Sequence, residues 1–92
     1  MPMLETIFGS KTRARILELI LLEGRKLRLL ELQRAVGTSI SSVQRELVRL
    51  ESLGLARSEY VDGTRVISAV EAHPLAPTLR AVLAADRDAS AP

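Results

Sequence analysis

Hydroxyl, amide and guanidinium side chains are concentrated in one short stretch of this sequence. The stretch contains Thr38, Ser39, Ser41, Ser42, Gln44, Arg45 and Arg49. Small hydroxyl groups allow a helix to approach the major groove of DNA closely, and the free N–H groups at a helix start attract phosphate. Gln44 is long enough to pair with adenine and Arg45 with guanine, and each bidentate pair contributes about 1 to 3 kcal/mol of discrimination between bases. The stretch therefore predicts contacts with double-stranded DNA.

The same residues also have purely structural interpretations. Ser41 followed three residues later by Gln44 fits a capping box, in which Gln44 bonds to the start of its own helix. Arg45 and Arg49, four residues apart, also fit an ordinary solvated helix face. Both interpretations stay open at the level of sequence.

A second candidate contact follows Asp62-Gly63, a dipeptide typical of tight hairpin turns. Thr64 and Arg65 lie directly after this turn, and an Arg at a hairpin tip can enter a minor groove or meet a phosphate. Hairpin tips are also commonly polar for solubility alone. The segment 61–65 is therefore a predicted backbone or minor-groove contact with a structural alternative.

Two further groups of cations lie outside these segments. Arg25, Lys26 and Arg28 form the densest cluster, but they precede a predicted helix and are expected to be solvated. Lys11 and Arg13 begin another predicted helix, where the helix dipole disfavours cations, and this placement indicates a phosphate contact.

The sequence offers little for catalysis or metal binding. It has no cysteine, so it lacks thiolate nucleophiles and cysteine-based zinc sites, and it suits a reducing compartment. The single histidine, His73, precedes Pro74 at a predicted helix start, so no Ser-His-Asp set can be assembled around it. Gly-rich phosphate loops are missing. We expect a protein that is not an enzyme and that uses no cofactor or metal.

Length and composition predict one compact domain. The chain has 92 residues, of which 47% are hydrophobic and 26% charged, values that argue against wholesale disorder. The run Ile16 to Leu22 is broken by Glu18 and is far shorter than the roughly 20 residues of a membrane helix. We expect a cytoplasmic protein with no membrane partner, a domain over 1–85 and a frayed polar tail over 86–92.

Charge and aromatic content narrow the class of partner. The net charge is only +2, but eleven of the thirteen cations and only seven of the eleven acids lie between Ser10 and Val70. Eleven cations are arginines, whose planar fork suits phosphates and guanine edges. Proteins that bind RNA or single strands use aromatic stacking platforms, and this chain has only Phe8 and Tyr60. Duplex DNA is therefore favoured, and no RNA partner is expected.

Hydrophobic periodicity predicts the elements that would position these residues. After a turn at Leu4 to Phe8 we expect a central helix from Lys11 to Leu22 and a short extended segment from Arg25 to Arg28. A helix with Leu29, Leu30, Leu32 and Val36 on its apolar face follows, and then a helix from Ile40 to Leu53. The chain should end in a hairpin from Leu55 to Val70 and a last helix from about His73. In the Ile40 to Leu53 helix, Val43, Leu47 and Leu50 define the inward face. The residues that then point outward are Ser41, Arg45, Val48, Arg49 and Ser52.

This order of elements is that of a helix-turn-helix followed by a wing, and particular residues carry a family resemblance. The run from Gly37 to Leu55, GTSISSVQRELVRLESLGL, resembles the recognition helix and first wing strand of the ArsR and MarR regulators. The segment from Phe8 to Leu17 and the triplet His73-Pro74-Leu75 resemble small winged-helix domains that stand alone or precede a nucleotidyltransferase domain.

The resemblance implies a mainly α winged helix-turn-helix, with a three-helix core, a small β-hairpin as the wing and additional terminal helices. It implies a transcriptional regulator that places residues 40–53 in the major groove and 61–65 on the backbone or in the minor groove. The alternative is a winged helix that contacts proteins or serves as an adaptor of a nucleotidyltransferase. Outward-facing Val48 is the main support for that alternative.

The apolar termini predict a homodimer through the N- and C-terminal helices. They contain Met3, Leu4, Ile7 and Phe8 at one end, and Leu75, Leu79, Val82 and Leu83 at the other. This is more hydrophobic surface than one small domain readily covers. A two-fold dimer would present recognition helices to major grooves about 34 Å apart, so its DNA site should be roughly palindromic.

Overall fold

The computed structural model describes residues 9–90, so the predicted turn at Leu4 to Phe8 lies outside the described residues. The helices are α1 (Lys11–Leu17), continued by a π-helical segment (Glu18–Leu22), α2 (Leu29–Val36), α3 (Ile40–Ser52) and α4 (Ala76–Ser90), and the strands are β1 (Leu27–Arg28), β2 (Ala56–Val61) and β3 (Thr64–Ala69). This is the predicted mainly helical architecture with a small antiparallel sheet, and the winged-helix fold class is confirmed.

The sheet forms around the predicted hairpin. β3 lies between β1 and β2, and the register pairs Val61 with Thr64 across the turn. Asp62 and Gly63 have φ angles of 51° and 78°, the left-handed values that a type I′ turn requires at both central positions. β1 has two residues and lies within the short extended segment predicted before α2, and the structure shows that it pairs with β3.

α1 and the π-helical segment occupy the centre of the fold, as the density of apolar residues from Ile16 to Leu22 predicts. Ser10 caps α1, and its Oγ accepts the N–H of Arg13 at 3.2 Å. The helix then widens, with the N–H of Glu23 donating to the carbonyl of Glu18 at 2.9 Å, five residues back. Three consecutive residues of this segment, Leu19 to Leu21, are buried in the core.

The core is completed by one face of each surrounding element. Leu32 of α2, Ile67 of β3 and Leu83 of α4 are buried with the inward residues of α3. Full burial of a leucine or isoleucine contributes about 1.5 to 3 kcal/mol, so these contacts fix the position of α3 relative to the sheet. His73 links the end of α3 to the start of α4. Its Nε2 lies 3.1 Å from the carbonyl oxygen of Leu53, and its Nδ1 accepts the N–H of Leu75 at 3.0 Å. It is a structural residue at a helix start.

α4 differs from the sequence-based expectation in two ways. Leu83 is 1% exposed, and Leu79 and Val82 pack partly against the core. Three of the four C-terminal residues predicted to face a partner chain therefore pack within their own domain. Residues 86–90, assigned from sequence to a frayed tail, are helical. The Arg87 Nη2 atom lies 3.0 Å from Glu18 Oε1 and 2.7 Å from Glu23 Oε2, and these carboxylates raise the pKa of the guanidinium.

Candidate nucleic-acid interface

α3 begins at a serine that caps it. Ser39 has extended backbone angles, and its Oγ accepts the N–H of Ser42 at 3.2 Å. The capping box that pairs Ser41 with Gln44 is therefore wrong, because the cap lies two residues earlier than that pairing requires. Gln44 is exposed on the second turn of the helix. Within residues 9–90, its side-chain amide makes no hydrogen bond to the start of its own helix.

The outward face of α3 is open to solvent over its whole length. Its exposed residues, the outward strip, are Ser41, Gln44, Arg45, Val48, Arg49 and Ser52. The opposite face carries Val43, Leu47 and Leu50, each 0% exposed. The helical projection made from sequence is confirmed for the five residues that it placed outward, and Gln44 is exposed beside them. Burial of the three apolar residues turns the opposite side of the helix to solvent.

The outward strip carries positive charge that no carboxylate of residues 9–90 neutralises. Within residues 9–90, neither Arg45 nor Arg49 forms an ion pair. Arg45 is oriented instead by a neutral group, since its Nη2 donates to Ser42 Oγ at 3.3 Å. Ser42 Oγ also accepts the hydroxyl of the capping Ser39 at 2.9 Å. The serines at the start of α3 therefore hold one guanidinium towards the amino-terminal end of the helix without reducing its charge.

Thr38 and Ser39 lie where the chain turns from α2 into α3. The side-chain amide of Gln33 donates to the carbonyl of Thr38 at 2.6 Å and so fixes the turn. Thr38 is half-buried, whereas Ser39 and Ser41 are exposed with their hydroxyl oxygens 3.4 Å apart. This hydrogen bond from α2 therefore fixes the backbone that leads into the first turn of α3.

Arg13 is not available for phosphate, which corrects the expectation from sequence. Its Nε donates to Glu46 Oε2 at 2.6 Å, and the two side chains are only 15% and 11% exposed. Glu46 is the one buried charged residue among those the structure describes. This pair joins the first turn of α1 to the middle of α3. Lys11 lies exposed at the start of α1.

Arg65 does not extend from the wing tip. It shares a face of β3 with Ile67 and Ala69, because side chains alternate along a strand, and that face is turned towards the helices. Its Nε donates to Ser58 Oγ at 2.9 Å, and its Nη2 lies 3.4 Å from Glu51 Oε1. The guanidinium thus bridges the wing and the carboxyl end of α3, with a quarter of its side chain exposed.

Tyr60, which counts from sequence only as one of the two aromatic residues, is a further candidate contact. It pairs with Arg65 across the hairpin and is 75% exposed. The two side chains therefore leave the same face of the hairpin, the one turned towards the helices, where a tyrosine hydroxyl can donate to a phosphate oxygen. The register of a two-residue Asp62-Gly63 turn places Tyr60 opposite Arg65 and was the signal that could have found it. Thr64, nearer the tip, is exposed.

The remaining cations are arranged around α2 and the sheet. Arg25, Lys26 and Arg28 are exposed, as expected of a solvated cluster. Arg34 of α2 is exposed as well and was not singled out from sequence. A cleft of about 310 Å³ lies between α2 and the wing. It is lined by Arg28, Leu29, Leu30, Glu31, Arg34, Thr64 and Arg65. Arg28 of β1 and Arg34 of α2 thereby add cations beside the wing that the predicted site did not include.

Metal and membrane sites have no counterpart in the part of the chain that the structure describes. Residues 9–90 contain no group of three histidine or acidic side chains arranged to hold a metal ion. In the same range, no helix combines the length and apolar character that crossing a bilayer demands.

Comparison with known proteins yields structural matches. No family model and no curated protein matches the sequence. A MarR-family transcriptional regulator from Silicibacter pomeroyi superposes with a TM-score of 0.76 at 24% identity, over 94% of this chain and 57% of its own. A predicted DNA-binding transcriptional regulator from E. coli superposes with a TM-score of 0.70 at 22% identity, over 96% of this chain and 86% of its own. The adhesin competence repressor AdcR from Streptococcus pyogenes gives 0.74 at 16% identity, over 96% of this chain and 66% of its own. At these identities the likeness establishes the winged-helix fold.

Proposed function

We propose that this chain is a transcriptional regulator that binds double-stranded DNA, with residues 40–53 in the major groove and residues 61–65 on the backbone or in the minor groove. The observation that carries the proposal is the outward strip of α3, which is exposed along its length and bears two arginines without carboxylate partners in the described chain. The names of the structural neighbours, a MarR-family regulator and a DNA-binding regulator among them, favour the same role.

The direct test is selection of bound duplexes from a random pool, followed by titration of the selected sequence. We expect the chain to bind the selected site at least about 10³-fold more tightly than mixed-sequence DNA. This ratio is at the lower end of the range for specific DNA-binding proteins. Absence of any salt-sensitive duplex binding would contradict the proposal. Co-purification of one partner protein in that case would favour the protein-contact alternative, for which exposed Val48 is the supporting feature.

Salt dependence gives a second, sequence-independent prediction. If each of two protomers neutralises three or four phosphates, the slope of log K against log salt is expected to lie at about −5 to −7. The measurement is fluorescence anisotropy with one labelled duplex between 50 and 200 mM salt, roughly the range over which such slopes are large. Lys26→Ala, in the solvated cluster before β1, is the control and should leave the slope unchanged. A slope near zero for the unmodified chain would overturn a DNA-binding role.

We also propose that the chain binds DNA as a homodimer. Leu75, directly before α4, is exposed, and Leu79 and Val82 of α4 are covered only in part, so this end of the chain retains some apolar surface, although less than the sequence indicates. Residues Met3, Leu4, Ile7 and Phe8, which complete the predicted interface, lie outside the described residues. Light scattering after size exclusion, with and without the selected duplex, tests the stoichiometry. A monomer that binds a site without two-fold symmetry would contradict the dimer and leave DNA binding intact.

Replacing Arg65 with alanine is expected to weaken all duplexes alike, by about three- to tenfold, because a phosphate contact carries no sequence information. The structure adds a condition to this prediction, since the guanidinium must exchange its Glu51 partner for phosphate. Glu51→Gln removes that competing charge and should strengthen binding to mixed-sequence duplex. Affinities of both variants for selected and mixed duplexes provide the measurement.

The hairpin supplies a matched control for Arg65. Arg57 lies on the opposite face of the same hairpin, is exposed and pairs with Glu59, so Arg57→Ala should leave both affinities unchanged. A loss confined to the selected duplex in Arg65→Ala would show base reading at the wing and contradict the backbone contact.

A further inference from the structure

The outward strip contains one apolar side chain, Val48, in the middle of its polar residues. Val48 is 64% exposed, with Arg45 one turn before it and Arg49 directly after it. β-branched residues are less favourable than alanine at an exposed helix position, because the preceding turn restricts their side-chain rotamers. Packing within residues 9–90 therefore gives no reason for a valine at this place.

The position of Val48 relative to its neighbours relates it to a DNA groove. It follows Arg45 by three residues and Gln44 by four, so the three side chains share one face of the helix. The helix rises about 1.5 Å per residue, which separates Val48 from these two residues by about 4.5 and 6 Å along the axis. Successive base pairs are about 3.4 Å apart, so Val48 lies one or two base pairs from those its neighbours reach.

Major grooves present only one apolar group to such a side chain, the C5-methyl group of thymine. A protein partner would bury Val48 together with Arg45 and Arg49, which have no carboxylate partners in residues 9–90 and would lose their hydration. A polyanionic groove instead supplies negative charge beside both guanidinium groups and a methyl group between them.

We propose that Val48 is a specificity-determining residue that contacts the C5-methyl group of a thymine, one or two base pairs from the pair contacted by Arg45. This inference rests on the proposed DNA-binding function. It assigns Val48 a role in discriminating thymine from cytosine, because cytosine lacks the C5-methyl group that the valine would contact.

The test replaces each thymine of the selected duplex in turn by deoxyuridine, which removes only the methyl group. For the unmodified chain we expect one thymine in each half-site whose replacement weakens binding about fourfold, the value of burying one methyl group. For Val48→Ala the same replacement should change affinity by less than twofold. Leu30→Ala truncates an aliphatic side chain of α2 that is 59% exposed and lies outside the proposed contacts, so it is the control and should retain the full fourfold response.

The outcomes separate this inference from the function on which it rests. Duplex binding without any thymine whose methyl effect depends on Val48, or a selected site that lacks thymine near the arginine-contacted pair, would overturn the role of Val48 alone. No duplex binding by the unmodified chain would overturn the DNA-binding proposal itself. Circular dichroism of Val48→Ala should show an intact fold, because alanine is the better helix former at an exposed position.

Discussion

Replacing Arg45 with alanine is expected to weaken binding to the selected duplex by about 5- to 150-fold, the equivalent of the roughly 1 to 3 kcal/mol that a bidentate arginine–guanine pair contributes. Binding to mixed-sequence duplex should fall by a much smaller factor. Arg45 is exposed near the amino-terminal end of α3, and Ser42 already orients its guanidinium, so little side-chain freedom remains to be lost on contact. Parallel titrations of both duplexes at one salt concentration measure the effect.

Arg45→Lys separates charge from geometry in this prediction. Lysine keeps the positive charge but lacks the planar fork that engages two acceptors of guanine at once. We expect it to restore binding to mixed-sequence DNA and to restore selectivity only in part. Equal losses for both duplexes in Arg45→Ala would place Arg45 on a phosphate and contradict base reading. Arg25→Ala, outside the outward strip, is the control for a general loss of charge.

The fold was predictable from sequence because its determinants are local. Gly37, with a φ of 81°, ends α2 as its position after the apolar face predicts, and Asp62-Gly63 sets the hairpin register. The outward strip follows from the three-and-four spacing of Val43, Leu47 and Leu50. Each of these signals lies within a few residues of the structure it determines.

Charge pairing between distant segments was not predictable in the same way. Arg13, Arg45 and Arg65 look alike in the sequence, yet two of them are held by Glu46 and Glu51 and the third is oriented only by a serine. Which acid approaches which cation depends on how α1, α3 and the wing pack together. The π-helical segment escaped prediction for a related reason, since an almost continuous apolar run carries no periodicity that distinguishes π from α turns.

The acids of α3 therefore divide the arginines into structural and available ones. Glu46 and Glu51 neutralise cations on the inward and wing-facing sides of the helix, while the outward strip contains no acid. The outward strip, on the face of α3 opposite the core, is therefore left with a positive potential. A net charge as small as +2 is thus compatible with a DNA-binding surface, because the distribution of charge matters more than its sum.

Replacing Glu46 with alanine is expected to lower the free energy of unfolding by about 2 to 4 kcal/mol, because it leaves the mostly buried Arg13 guanidinium without its partner. Urea denaturation followed by circular dichroism measures the change. Glu71→Ala, at an exposed acid that pairs with Arg80 on the surface, is the control for loss of a carboxylate and should cost much less.

Removing both partners distinguishes a buried unpaired charge from a local packing defect. The double variant Arg13→Leu with Glu46→Leu should recover most of the stability lost in Glu46→Ala, since replacing a buried ion pair by apolar groups is often neutral. At temperatures where Glu46→Ala remains folded, its affinity for the selected duplex should match that of the unmodified chain, because the pair lies on the side of α3 away from the outward strip. A stability loss no larger than that of Glu71→Ala would show that Arg13 finds water or another acceptor. A selective loss of DNA affinity in the folded variant would instead show that the pair positions α3 for binding.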